Sequence, residues 1–172
     1  MHPAALIKKS KWFKAEAETL LKRSQLLPFL AHYGEVKLTG SYALDLMLNG
    51  DIDIYVENPK ITKTAVLRAF QQQAKGTFFH GCMFYDFVRV RRVGFPRGYY
   101  LGLRRDQRKT KWKIDIWFMR KLDGPSERLM AQLRTHLDDP LRLKILKLKH
   151  RRNAKGLSIT SAEIYRTVLR RR

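Results

Sequence analysis

Two carboxylates one residue apart, in Asp51-Ile-Asp53-Ile, are the side chains of this 172-residue sequence best placed to act on a substrate. Acids are scarce in the chain, 15 Asp plus Glu against 36 Lys plus Arg, so their clustering is informative. The segment alternates polar and apolar residues, which predicts a strand with Asp51, Asp53 and Tyr55 on one face and Ile52, Ile54 and Val56 on the other. A third acid, Asp115, stands between Ile114 and Ile116 in a second such segment, a costly position for a charge unless something compensates it. Same-face carboxylates lie about 7 Å apart along a strand, and a third from a neighbouring strand adds repulsion that divalent cations would remove. Three carboxylates holding two metals about 4 Å apart is the geometry of in-line phosphoryl or nucleotidyl transfer. A ligand set of hard oxygens, with no His or Cys, favours two Mg²⁺ (or Mn²⁺) ions at one site.

Gly40-Ser41 supplies the second half of the pattern. It closes a short predicted strand, 35–38, and opens a predicted helix over 42–48. Glycine permits close backbone approach, a helix start presents free N–H groups to phosphate, and the Ser41 hydroxyl adds a donor. Lys113 shares a strand face with Asp115, and either pairs with it or contacts phosphate. Arg89, Arg91, Arg104 and Arg105 fall on predicted strands and are candidate nucleic-acid contacts, although solvated strand polarity accounts for them equally well. Trp117 also shares the face of Asp115, where core packing competes with stacking on a base. The five histidines show no metal spacing, and Cys82, the single cysteine, can form no internal disulfide.

The elements that must position these residues follow from periodicity. Apolar residues at helical spacing predict a helix over 5–27 stopped by Pro28, and another over 62–74. Asn49-Gly50 is a turn pair before the Asp-x-Asp strand. From about residue 77 the period becomes two, predicting an antiparallel meander of strands 84–93, 99–104 and 111–118. Pro125 opens a helix, Asp139-Pro140 caps another, and 161–169 supplies a last. The expectation is an α/β (α+β) chain: a mixed β-sheet with flanking helices over residues 1–121, then a basic helical subdomain over 122–172.

The compound pattern Leu38-Thr-Gly40-Ser41, nine residues, Asp51-Ile-Asp53-Ile and a later Ile-Asp115-Ile strand resembles the DNA polymerase β-like nucleotidyltransferase superfamily. The resemblance covers about residues 35–120 and implies a palm-like sheet. It implies that Asp51 and Asp53 hold both metals, that Asp115 holds the catalytic metal facing the attacking hydroxyl, and that Gly40 and Ser41 bind the nucleotide phosphates. The length, the basicity and the Ala154–Thr160 tail look like those of reduced family X polymerases. Tyr42, Ala43 and Leu44 stand where such polymerases usually place arginines, and no aromatic-Gly segment follows between 119 and 135. Nucleotidyl transfer is thus implied more strongly than polymerisation.

Charge and composition set the partners. The formal net charge is +21, and a polyanion would relieve the self-repulsion by releasing counterions. Between Leu141 and Arg172 there are 11 Lys or Arg and one acid, Glu163. No apolar run reaches the roughly 18 residues of a membrane span, and Lys8, Lys9, Lys11 and Lys14 interrupt any secretory signal, so the chain reads as intracellular and soluble, cytoplasmic or associated with a nucleoid or virion. The favoured reaction moves a nucleoside monophosphate from an NTP or dNTP to a nucleic-acid 3′ hydroxyl. The alternatives are transfer to a protein or small molecule, or a non-catalytic nucleic-acid-binding module. Oligomeric state is not legible.

Overall fold

A computed structural model describes residues 1–170 apart from 91, 92 and 94. Its elements are α1 (Pro3–Ser24), α2 (Leu26–Ala31), β1 (Glu35–Thr39), α3 (Gly40–Ala43), β2 (Asp51–Glu57), α4 (Lys63–Lys75), β3 (Gly81–Asp86), β4 (Tyr99–Gln107), β5 (Thr110–Met119), α5 (Pro125–His136), α6 (Asp139–Ala154) and α7 (Ser161–Arg170). The strands form one five-stranded mixed sheet in the order β1-β2-β5-β4-β3. The expected meander is present as the antiparallel pairs β3–β4 and β4–β5, while β2 joins β5 in parallel and β1 antiparallel. Central β5 therefore carries Asp115 beside Asp53, its direct partner in register.

Alternation gives the sheet two unlike faces. Ile52, Ile54, Val56, Leu101, Leu103, Ile114, Ile116 and Phe118 point into the main core, where α1, α2 and α4 cover them with Phe13, Ala17, Leu20, Leu30, Val66 and Ala69. The opposite face carries Asp51, Asp53 and Asp115, with a smaller cluster of Tyr55, Tyr100, Trp117 and Met119 alongside. Helices α5–α7 build a further core with Leu6 of α1 and with Leu44, Leu46 and Leu48 from the segment between α3 and β2. The basic C-terminal helices are thus packed against the first helix and against the loop that delivers β2. Among the described residues no helix is long and apolar enough to cross a membrane.

Several boundaries differ from the sequence expectation, each for a local reason. The first helix does not run to Pro28: Gln25 adopts a left-handed φ of 52° and ends α1, and a second helix restarts at Leu26. Pro28 then sits in the first turn of α2, where its missing N–H costs nothing. The helix expected over 42–48 is a single turn, Gly40–Ala43, stopped where Asp45 takes a φ of 55°. Its expected second half is instead an irregular, buried stretch. The strand expected over 84–93 lies at Gly81–Asp86, because the Asp86 carboxylate accepts the backbone N–H of Val88 (3.1 Å) and Arg89 (3.2 Å) and turns the chain. Strand β4 extends three residues past the expected end and meets β5 through the two-residue turn Arg108-Lys109. Helix α6 is capped one residue early, by Asp138, whose side chain accepts the Leu141 N–H at 2.8 Å.

Candidate active site

Each acid is delivered by a different constraint. Asp51 and Asp53 share the open face of β2 through strand alternation, and the register of the parallel pair sets Asp115 opposite Asp53. One carboxylate oxygen from each of the three lies within 4.8 Å of the others. Gly40 seals the cluster from the side. Its φ is +64°, and a Cβ there would fall inside the Asp53 carboxylate, so both conformation and space demand glycine. Strand β1 thus ends over the second acid.

The charges of this cluster are only partly compensated. Burial, reinforced by Asp51 and Asp115, pushes Asp53 up from 3.8 to about 7. Burial also raises Asp51, with Lys113 opposing. Asp51 Oδ1 is buried without a hydrogen-bond partner, its nearest cation being Lys113 Nζ at 3.7 Å. Asp115 is better supplied: it pairs with Lys113 Nζ, accepts the Tyr100 hydroxyl at 2.7 Å, and lies 3.7 Å from Arg104 Nη1. Burial and the bond to Asp115 hold the Tyr100 hydroxyl up at about 12, so it remains a donor. Lys113 is raised, because the attraction of Asp51 and Asp115 outweighs the burial that disfavours its charge.

Two cavities meet at the acids. The first, about 430 Å³, is lined by Gly40, Ser41, Asp51, Asp53, Lys113, Lys149 and Arg152, and closed by Tyr165 of α7. The second, about 350 Å³, has Asp53, Asp115 and Lys113 on one side and aromatic side chains on the other. Lys149 is 1% exposed, and its Nζ donates to the Leu46 carbonyl at 2.7 Å. Burial first, then the nearby Arg152, bring its ammonium down to about 8.

The structure thus brings together Gly40, Ser41, Asp51, Asp53, Asp115 and Lys113, and Ser41 is buried at the cavity edge. The candidate arginines separate. Arg104 joins the site face, whereas Arg105, one residue on, points to the opposite face, where it caps the Phe78 carbonyl and lies 4.0 Å from the Phe78 ring. Arg89 lies in the turn after β3 rather than on a strand, exposed and absent from the lining of both cavities. Arg91 lies outside the described residues. Trp117 packs with Tyr100 at 5.1 Å between ring centroids while still lining the second cavity, so both of its expected roles are physically open to it.

Sequence reasoning missed Tyr100, Lys149 and Arg152. Tyr100 had a signal, since alternation along β4 puts it on the same face as Gly102, the register partner of Asp115. A Cβ on Gly102 would fall 2.5 Å from the Tyr100 hydroxyl, so this glycine gives the ring the room it needs to reach the acid. Lys149 had a weaker one: it continues the Leu141–Ile145 stripe at four-residue spacing and is buried with it. No protein-family model matches this chain, and no curated protein does either.

Proposed function

We propose that the protein is a metal-dependent nucleotidyltransferase on a palm-like sheet. It moves a nucleoside monophosphate from an NTP or dNTP to an acceptor hydroxyl, with a nucleic-acid 3′ end favoured by the +21 charge. The observation that carries this reading is the convergence of three part-buried carboxylates at the junction of two cavities, one of them basic and floored by Gly40-Ser41. The donor set fits hard divalent cations: three carboxylates, one with a buried oxygen lacking any hydrogen bond, and Asp53 held up to about 7 in part by its neighbours' charge. Asp51, Asp53 and Asp115 would hold Mg²⁺ or Mn²⁺, which supplies charge neutralisation at the phosphates and acidifies the acceptor hydroxyl.

The chain's own residues do the rest. Ser41 and the backbone of Gly40 bind the triphosphate, with Lys149 and Arg152 facing it across the cavity. The acceptor oxygen bonds to the α-phosphorus while the bond to the αβ-bridging oxygen breaks. Pyrophosphate leaves with that electron pair, and the hydroxyl proton passes to solvent. Lys113 stands between Asp51 and Asp115, within reach of both, and would turn to phosphate were their charge offset. Tyr100 and Arg104 keep Asp115 aimed. Most of the rate comes from positioning and charge, since the protein performs no covalent step.

The test pairs a thermal-shift titration of NTP with and without Mg²⁺ against incubation with labelled nucleotides and DNA, tRNA and protein acceptors. Mg²⁺-dependent nucleotide binding and a labelled acceptor are expected; Asp115→Asn should abolish the transfer while nucleotide binding survives better, because Asp51 and Asp53 still hold the cation that travels with the triphosphate. Wild-type transfer by Asp115→Asn, or no metal-dependent nucleotide binding in the native chain, would refute the reading.

A further inference from the structure

Beside the acids lies a ring cluster that the reaction itself does not require. Tyr85, Phe87, Phe95, Tyr100 and Trp117 line the second cavity, whose floor is Asp53 and Asp115. Phe87 is the hub: its ring centroid lies 5.3 Å from Trp117, 5.4 Å from Phe95 in a parallel stack, and 5.8 Å from Tyr85. The two rim rings are half out in solvent, Tyr85 at 54% and Phe95 at 48% exposed. Among the described residues only the start of α5, at Ser126, reaches this cavity, whereas α1, α2 and α4 cover the opposite face of the sheet. Large apolar side chains left at the mouth of a concave site mark a ligand face more often than chance exposure.

The cavity's position and chemistry select the ligand. It opens on the Asp115 side of the cluster, across the acids from Gly40-Ser41, Lys149 and Arg152. Tyr55, Phe95, Pro96 and Ser126 are shared with an adjoining cavity that Arg97, Lys121 and Arg166 also line. Of the acids there, Asp123 is paired with Lys121 at 3.1 Å and Glu127 with Lys37, which leaves the outer wall cationic. Flat faces next to the acids, with cations beyond them, match a base followed by its phosphates.

We infer that the aromatic cavity seats the terminal base of the acceptor, so the acceptor is a single-stranded nucleic-acid 3′ end held by stacking and not by pairing. The last base lies among Tyr85, Phe87 and Phe95, its sugar hydroxyl points at Asp115, and the preceding phosphates run toward Arg97 and Arg166. Stacking is indifferent to base identity, so no template is needed to place the end. This rests on the nucleotidyl-transfer reading only for the direction of the hydroxyl; the base-binding site stands without it.

The experiment measures fluorescence anisotropy of the full chain in EDTA, without nucleotide. The probes are a labelled single-stranded oligodeoxythymidylate, an abasic strand with the same number of phosphates, and a blunt duplex. The native chain should bind the base-bearing strand roughly tenfold or more tightly than the abasic one. Tyr85→Ala with Phe95→Ala should bring it down to the abasic affinity while leaving the salt slope unchanged, since no phosphate contact is lost. Equal binding of the two strands by the native chain, a preference that survives both substitutions, or equal ring-dependent binding of the duplex would overturn the inference. As an arm that needs no variant, 4-thiothymidine at the 3′ end should photocrosslink to the native chain within residues 85–117, and adducts confined elsewhere would overturn it. If base-dependent binding holds but no transfer occurs, the reaction reading fails and this site remains. If transfer to a 3′ end proceeds undiminished in the double variant, the inference fails and the reaction reading remains.

Discussion

Replacing Asp53 by Asn should stabilise the metal-free protein near neutral pH, and by an amount that depends steeply on pH. Asp53 is part-buried beside Asp51 and Asp115, and its folded-state pKa is raised from 3.8 to about 7. A raised carboxyl favours folding while protonated, so its stability contribution is complete below about pH 3.8 and is lost as pH climbs through about 7. Carrying a carboxyl from 3.8 to about 7 corresponds to about 4 kcal/mol of folding free energy at pH 8. Asn is nearly isosteric and cannot ionise, so Asp53→Asn should lack that decline and exceed the native chain by up to about 4 kcal/mol at pH 8 in EDTA. The assay is urea denaturation of both proteins at intervals from pH 4 to 8. Saturating Mg²⁺ at pH 8 should close the gap by stabilising only the native chain, because the cations offset the charge that destabilises it. Parallel pH curves for the two proteins, or equal stabilisation of both by Mg²⁺, would refute the account of a self-repelling acid cluster.

Three further perturbations probe the supports. Tyr100→Phe removes the hydrogen bond to Asp115 and with it about 1.5–3 kcal/mol of orientation; transfer should fall roughly ten- to hundredfold in steady-state assays with the melting temperature little changed. Lys149→Met leaves the Leu46 carbonyl unpaired, a cost of about 1–3 kcal/mol, but it also removes an ammonium that burial disfavours at pH 7, so urea titration at pH 7 should show a smaller loss or none. Because the Lys149 ammonium is depressed to about 8, the native chain should also gain stability as pH rises from 8 toward 10.5, a gain the variant lacks. Gly40→Ala meets both a left-handed φ and the Asp53 carboxylate; it should cost about 1–2 kcal/mol from backbone strain alone and should abolish the Mg²⁺-dependent thermal shift even where circular dichroism shows a folded chain.

How far the site could be read in advance depended on the range of the forces involved. Asp51, Asp53 and the apolar residues between them declare a strand and its faces locally, through period-two alternation, and the same logic put Lys113, Asp115 and Trp117 together. The mixed sheet and the antiparallel meander were legible for the same reason. That Asp53 and Asp115 would be direct neighbours was not, because nothing local to β2 or β5 encodes a parallel register. Lys149 reads as one more cation in a basic tail, and only the three-dimensional packing of Leu141, Ile145 and Leu146 beneath the 44–48 segment turns it inward. Boundaries failed where a side chain or a single φ overrode propensity, at Gln25, Asp45 and Asp86. Arg104 and Arg105 both stand among the candidate contacts in the sequence, although alternation itself sends them to opposite faces.

The parallel pairing of β2 with β5 also has a kinetic meaning. The two acid-bearing strands are separated by 52 residues, including a helix and two other strands, and long-range parallel contacts are among the slowest to form because the chain must first surrender its loop-closure entropy. The three carboxylates therefore come into register only when the central sheet closes. A nascent or partly folded chain can present Asp51 and Asp53 without Asp115, and so carries two acids of the cluster without the third. Gain of Mg²⁺ response during refolding would then report the final topological step.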